Sequence, residues 1–157
     1  MKRKAPRRSA REVALQALYA WQLAGGTTDD LLAQAAAAKD YANADRALLE
    51  ALVSGVIARA ADLEALITPC LNRSFASLSP VERAVLYIGA FELSAEPATP
   101  VKVVLNEAIE MGKSYGGTDG HKFVNGVLEK LATVLRPAEL ARARRRGAAA
   151  TCPPNSS

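Results

Sequence analysis

Residues 45–67 read DRALLEALVSGVIARAADLEALI, and this stretch decides the fold class. Leu48, Leu49, Leu52, Val53, Val56 and Ile57, then Leu63, Leu66 and Ile67, recur at three- and four-residue steps, the stripe that an α-helix turns inward. The spacing predicts one long helix starting near Asp45 and bent near Gly55 or Asp62. Pro69 falls in its last turn, and a loop follows over 72–78.

On either side the same grammar repeats. Ser9-Ala10-Arg11-Glu12 reads as a capping box opening a first helix, with Val13, Leu15, Leu18 and Trp21 on its stripe and Gly25-Gly26 ending it. Thr28, followed by Asp29 and Asp30, suits the start of a second helix that runs into the alanines at 35–38. Ser79-Pro80-Val81-Glu82 is another capping box with Pro at the first helical position, opening a helix to about Ser94 that carries Leu86 and Phe91 on its flanks. Thr99-Pro100 starts a helix that reaches Lys113 and stops at Gly116-Gly117. Asp119 can cap a last core helix, which breaks at Arg136-Pro137. Beyond it a frayed helix can run through the arginines, while Gly147 onward reads as a disordered tail.

No segment alternates with period two, so the expected fold is all-α, a compact bundle of about six or seven helices with no sheet. Composition agrees: 32 residues are alanine and only eight aromatic, a balance that favours helix over strand. The expected organisation is a basic arm over 1–8, a helical domain over 9–136 and a basic, Ala/Pro-rich tail over 137–157.

Charge is distributed unevenly. The net charge is +4, yet the first eleven residues carry six basic and no acidic side chains, and residues 136–157 are net +4, leaving −6 on residues 12–135. Clustered Lys and Arg gain free energy by releasing counterions from phosphates, so basic ends on an acidic body point to a polyanion. Cations at the start of the first helix oppose its dipole, so helix stability does not account for them. A solubilising arm is the plain alternative.

Catalysis finds no foothold. His121 has no nucleophile beside it, no phosphate-binding glycine loop exists, and Glu107 and Glu110 read as a solvated acidic face. Cys70 and Cys152 are far apart without ligand spacing, so no metal, cofactor or disulfide is expected. No apolar run is long enough to span a membrane. The segment from Ser114 to Phe123 does carry a binding signal, because three glycines and two aromatics flanked by Lys113 and Lys122 suit single-stranded nucleic acid, with bases on rings and phosphates on lysines.

Four separated motifs then point to a family: residues 7–23 (RRSAREVALQALYAWQL), 80–86 (PVERAVL), 100–110 (PVKVVLNEAIE) and above all 121–128 (HKFVNGVL). In this order they resemble the NusB family of transcription antitermination factors, from about residue 7 to 137. Some ribosomal RNA cytosine methyltransferases share the fold in an N-terminal domain, and since no methyltransferase domain follows here, only the binding module is expected.

The resemblance implies a bacterial, cytoplasmic, non-enzymatic protein that pairs with the small-subunit ribosomal protein NusE. The pair binds single-stranded boxA RNA and helps RNA polymerase read through terminators, notably in ribosomal RNA operons. By motif, Arg3, Lys4, Arg7, Arg8 and Arg11 would contact phosphates, Tyr115, Lys122 and Phe123 would line the RNA path, and Asp119 would sit at its edge. Tyr19, Glu82 and Arg83 would face the ribosomal protein. Glu82 as a capping residue and Tyr19 on an apolar-striped helix each have a structural explanation as well. The sequence departs from the family pattern in its long tail and at Val101, where an aromatic is common. The reading from another class is a helical assembly or homodimerisation module whose basic arm serves solubility.

Overall fold

The computed structural model describes residues 4–117 and 119–151, with side chains to 147. Arg3, Thr118, Cys152 and the end of the tail, all included in the sequence reading, lie outside the described residues. Eight helices follow in order: α1 (Pro6–Ala24), α2 (Thr28–Ala35), α3 (Arg46–Ala58), α4 (Ala60–Ile67), α5 (Pro80–Ala95), α6 (Val101–Tyr115), α7 (Gly120–Leu135) and α8 (Pro137–Thr151). Short 3-10 turns occupy Tyr41–Asn43, Thr68–Cys70 and Phe75–Ser77. No strand occurs among the described residues, so the all-α expectation holds, with more helices than the six or seven expected. None of these helices is long and apolar enough to cross a membrane.

Helix α5 is the axis of the bundle. Every residue from Ala84 to Leu93 is buried, which buries Leu86 and Phe91 as fully as the stripe they were expected to flank. A helix apolar all round must be enclosed, and α1, α3, α4, α6 and α7 all pack on it. Its start is local chemistry: Ser79 Oγ accepts from the Glu82 N–H at 3.1 Å while Glu82 Oε1 accepts from the Ser79 N–H at 3.1 Å. Its end is closed from a distance. Arg136 donates to the carbonyls of Glu92 and Leu93 in the last turn of α5, to those of Glu96 and Thr99 in the turn that follows, and to Glu139 Oε1. Glu139 Oε2 in turn accepts from the Val101 N–H at 2.7 Å, the first residue of α6.

Other boundaries moved. The long helix read over 45–67 is two, broken at Arg59, between the two bends expected. Asp45 caps α3 by accepting from the Leu48 N–H at 3.0 Å. Helix α2 is capped by Thr27 rather than Thr28, through a capping box with Asp30. Helix α8 continues past Gly147 to Thr151, further than the sequence pattern predicts.

Candidate nucleic-acid and partner interface

From Pro6 onward the basic arm is helix. Pro6 stands at N1 of α1, where a fixed φ and a missing N–H cost nothing, so the helix starts a turn earlier than the expected Ser9–Glu12 box. Ser9 is buried inside the helix and its Oγ accepts from Asn43 Nδ2 at 2.9 Å; Asn43 also donates to the Lys4 carbonyl at 2.8 Å. Lys4 Nζ donates to Glu12 at 2.5 Å and to Asp40 at 3.1 Å. These hydrogen bonds raise the Lys4 ammonium above its ordinary range, and the one from Lys4 holds the Asp40 carboxyl below its own. Arg7 lies 3.7 Å from Asp45, and Arg8 Nε donates to Glu107 at 3.1 Å. Lys4, Arg7 and Arg8 nevertheless keep 44%, 49% and 43% of their side-chain surface exposed, enough to meet a phosphate.

Arg11 departs from its expected role. Its Nε and Nη2 donate to the two carboxylate oxygens of Glu92 at 2.7 and 2.9 Å, with both side chains buried, so it is withdrawn from the phosphate-facing surface. Burial opposes its charge, but the hydrogen bond and charge of Glu92 outweigh that and hold the guanidinium above its ordinary value. Glu107, read as part of a solvated acidic face, is mostly covered and lies between Arg8 and Arg11. Together these pairs fasten α1 to α5 and α6.

The α6–α7 turn comes up beside α1. Gly112 allows it: a Cβ there would stand 2.7 Å from the Cα of His121, so only a bare Cα lets the start of α7 approach α6 this closely. Half-buried Tyr115 reaches α1, where its hydroxyl accepts from Gln16 Nε2 at 3.3 Å. Asp119 occupies the N-cap position of α7 without making a side-chain cap bond, and instead lies 3.6 Å from Lys122, both largely exposed. Phe123 is half-buried under the guanidinium of Arg73, 4.5 Å from the ring centroid. Arg73 also lies 3.7 Å from Glu82. A cleft of about 420 Å³ is therefore lined by Arg73, Ser79, Glu82, Asp119 and Phe123, which brings the expected partner residue Glu82 together with two expected RNA residues.

Tyr19 is 40% exposed and lies one helical turn beyond Gln16 on α1. Arg83 turns the other way from Glu82, into a cleft of about 530 Å³ with Trp21, Gln22, Phe75 and Tyr87. Trp21 and Phe75 pack edge-on to Tyr87, with centroids 6.1 and 5.2 Å apart, and burial, with the charge of Glu64, pushes the Tyr87 phenol up. Arg83 Nε and Gln22 Oε1 are buried without a hydrogen-bond partner among the described residues.

Among the described residues no group of three His, Cys, Asp or Glu side chains could hold a metal. The Cys70 thiol is buried, which pushes its pKa up and away from the reactive thiolate. Sequence reasoning missed Gln16 and Arg73 as parts of this surface, and Glu92 and Glu107 as the carboxylates that hold Arg11 and Arg8. Each acts through a partner remote in sequence, and no local pattern marks such a pairing.

The comparisons agree with this architecture. The model of the NusB family matches residues 8–133. A "Transcription antitermination protein NusB" of Burkholderia lata is 50% identical over 145 residues, covering 92% of this chain and 99% of the relative. Its counterpart in Burkholderia vietnamiensis is 51% identical over 137 residues, covering 87% of this chain and 94% of that one. Among solved structures, T. maritima NusB superposes with a TM-score of 0.73 at 29% identity, covering 83% of this chain and 93% of that chain. A structure of antitermination factors NusB and NusE in complex with dsRNA superposes with a TM-score of 0.67 at 27% identity, covering 82% of this chain and 96% of that chain. With a family match across most of the helical body and half its residues shared with relatives along nearly their whole length, the chain belongs to the NusB family.

Proposed function

We propose that this chain is a transcription antitermination factor that binds single-stranded boxA-type RNA together with the ribosomal protein NusE and promotes read-through by RNA polymerase, including in ribosomal RNA operons. The observation that carries this is the near full-length likeness to proteins named for transcription antitermination, joined by a structural neighbour in which NusB is held with NusE and RNA. It acts by binding, makes and breaks no bond, and works in the bacterial cytoplasm. Lys4, Arg7, Arg8 and Lys122 attract the RNA phosphates, Tyr115 and Phe123 offer stacking faces, and Asp119 borders the path. Tyr19, Glu82 and Arg83 meet the ribosomal protein. The geometry supports sharing at the cleft of Glu82, Asp119 and Phe123, where RNA and protein partner would contact common residues.

The test is RNA binding by fluorescence anisotropy with and without NusE. NusE is expected to tighten binding. Arg7→Ala with Arg8→Ala should weaken it and flatten the slope of log affinity against log salt by about 1.4, two phosphates at about 0.7 each on a single strand. Affinity indifferent to NusE, to salt and to both arginines would overturn the reading.

A further inference from the structure

Helix α8 carries a cluster of charge that the contacts described so far leave unused. Arg142, Arg144, Arg145 and Arg146 are exposed and form no ion pair among the described residues, in contrast to the tethered cations of α1. At about 100° per residue, Arg142, Arg145 and Arg146 share one side of the helix, opposite buried Leu140. Arg144 falls at the edge, beside a groove of about 330 Å³ between α6, α7 and α8 that also holds Lys102, Asn106, Asn125 and Glu129. The helix is held in place: Leu140 anchors it to the core, and the Arg136–Glu139 clamp fixes its first turn to α5 and α6.

We propose that α8 and this groove form a second RNA-binding face, which takes the phosphate backbone of the strand flanking the segment held at α1 and the α6–α7 turn. The inference rests on the function proposed above. Charge complementarity selects the occupant. The outer side of α8 offers arginines and the methyl of Ala138 but no large apolar side chain, and the apolar residues of the groove, Val101, Leu105, Ile109 and Leu140, are themselves buried or half-buried, so the face lacks both the exposed anchor of a protein interface and the wedge a lipid surface would need. A polyanion is what remains. Continuity selects the same RNA: Lys102, Asn106, Ile109 and Lys113 recur along one side of α6, and eleven residues of helix carry this track about 17 Å from the groove to the α6–α7 turn. The Asn106 and Asn125 amides can each donate and accept toward base edges on the way.

The experiment compares the full chain on a short boxA-type RNA and on the same RNA lengthened at both ends. The unaltered chain should bind the longer RNA more tightly and with a steeper salt slope. Combined Arg142→Ser, Arg145→Ser and Arg146→Ser should abolish that gain and leave the short RNA unaffected. Three fewer phosphate contacts remove about 2 from the slope, so the extra loss of affinity for long RNA between about 50 and 200 mM salt should shrink about 20-fold. The corresponding Lys triple, which keeps the charge, should keep the gain. Equal binding of both RNAs by the unaltered chain, or a gain that survives in the Ser triple, overturns the proposal. So does loss of NusE binding, or of binding to phosphatidylserine vesicles, in place of loss on long RNA. Affinity for the short RNA separately reports on α1 and the turn, so a failure of the function proposed above is read in a different arm.

Discussion

Replacing Arg11 with Ala distinguishes an arginine that holds the fold from one that holds RNA. In the native chain its guanidinium makes two bonds to Glu92, at 2.7 and 2.9 Å, and the two side chains are 2% and 1% exposed. Removing the arginine leaves a carboxylate in the centre of the bundle with no guanidinium facing it. Breaking a buried pair from one side costs about 3–5 kcal/mol, a large share of the roughly 5–15 kcal/mol that keeps a domain folded. With a urea dependence of about 2 kcal/mol per molar, the unfolding midpoint followed by far-UV circular dichroism should fall by about 2 M. Arg11→Met combined with Glu92→Leu, which removes both charges and keeps apolar volume, should recover most of that loss. Arg7→Ala and Arg8→Ala break half-exposed pairs and should each cost no more than about 1 kcal/mol. An Arg11→Ala protein with an unmoved midpoint and weakened RNA binding would refute the assignment of Arg11 to the core.

Three further outcomes are expected. Gly112→Ala puts a methyl 2.7 Å from the backbone of His121 and should destabilise by about 1–3 kcal/mol in thermal or urea unfolding, with weakened RNA binding because the α6–α7 turn is displaced. Glu139 has its carboxyl held below the ordinary value of 4.5, first by the Val101 N–H and then by Arg136, so the folded state releases this proton more readily than the unfolded state. Its stabilisation is present above that value and lost as pH falls through the lowered one; Glu139→Gln should therefore cost about 1 kcal/mol near neutrality and almost nothing in acid, read from urea midpoints across pH. Phe123→Ala should weaken RNA binding by about 1–3 kcal/mol if a base stacks there, and an unchanged affinity in a folded variant would remove the ring from the RNA path.

The sequence announced those parts of the fold whose causes are local. Ser79 and Glu82 lie three residues apart and each accepts from the other's N–H within one turn, so the start of α5 is written in four letters; the cap Asp45 makes to Leu48 is as local. The start of α1 was misplaced because two local rules competed, a proline at N1 and a Ser/Glu box three residues later, and the pull of Asn43 on Ser9 and Lys4 is invisible in the pattern. Arg11 and Glu92 are 81 positions apart, and Arg136 closes a helix some 40 residues upstream. Neither pairing leaves a trace in spacing, which is why Arg11 looked like one more cation of the arm and Arg136 like a mere stop. The aromatic turn was legible as a surface because its glycines and lysines are contiguous, whereas Arg73, which covers Phe123, comes from a distant loop.

The position of Trp21 makes the chain its own optical reporter. It is the sole tryptophan, half-buried against Tyr87 in the cleft that also holds the unpartnered Arg83 Nε and Gln22 Oε1. Arg7, Arg8, Tyr115 and Phe123 are absent from the lining of that cleft. Indole emission shifts with the polarity around the ring, so a protein docking in this cleft should change the colour of the fluorescence, while RNA held at α1 and the α6–α7 turn should leave it nearly unchanged. Two binding events on one small molecule can then be followed separately with no dye attached.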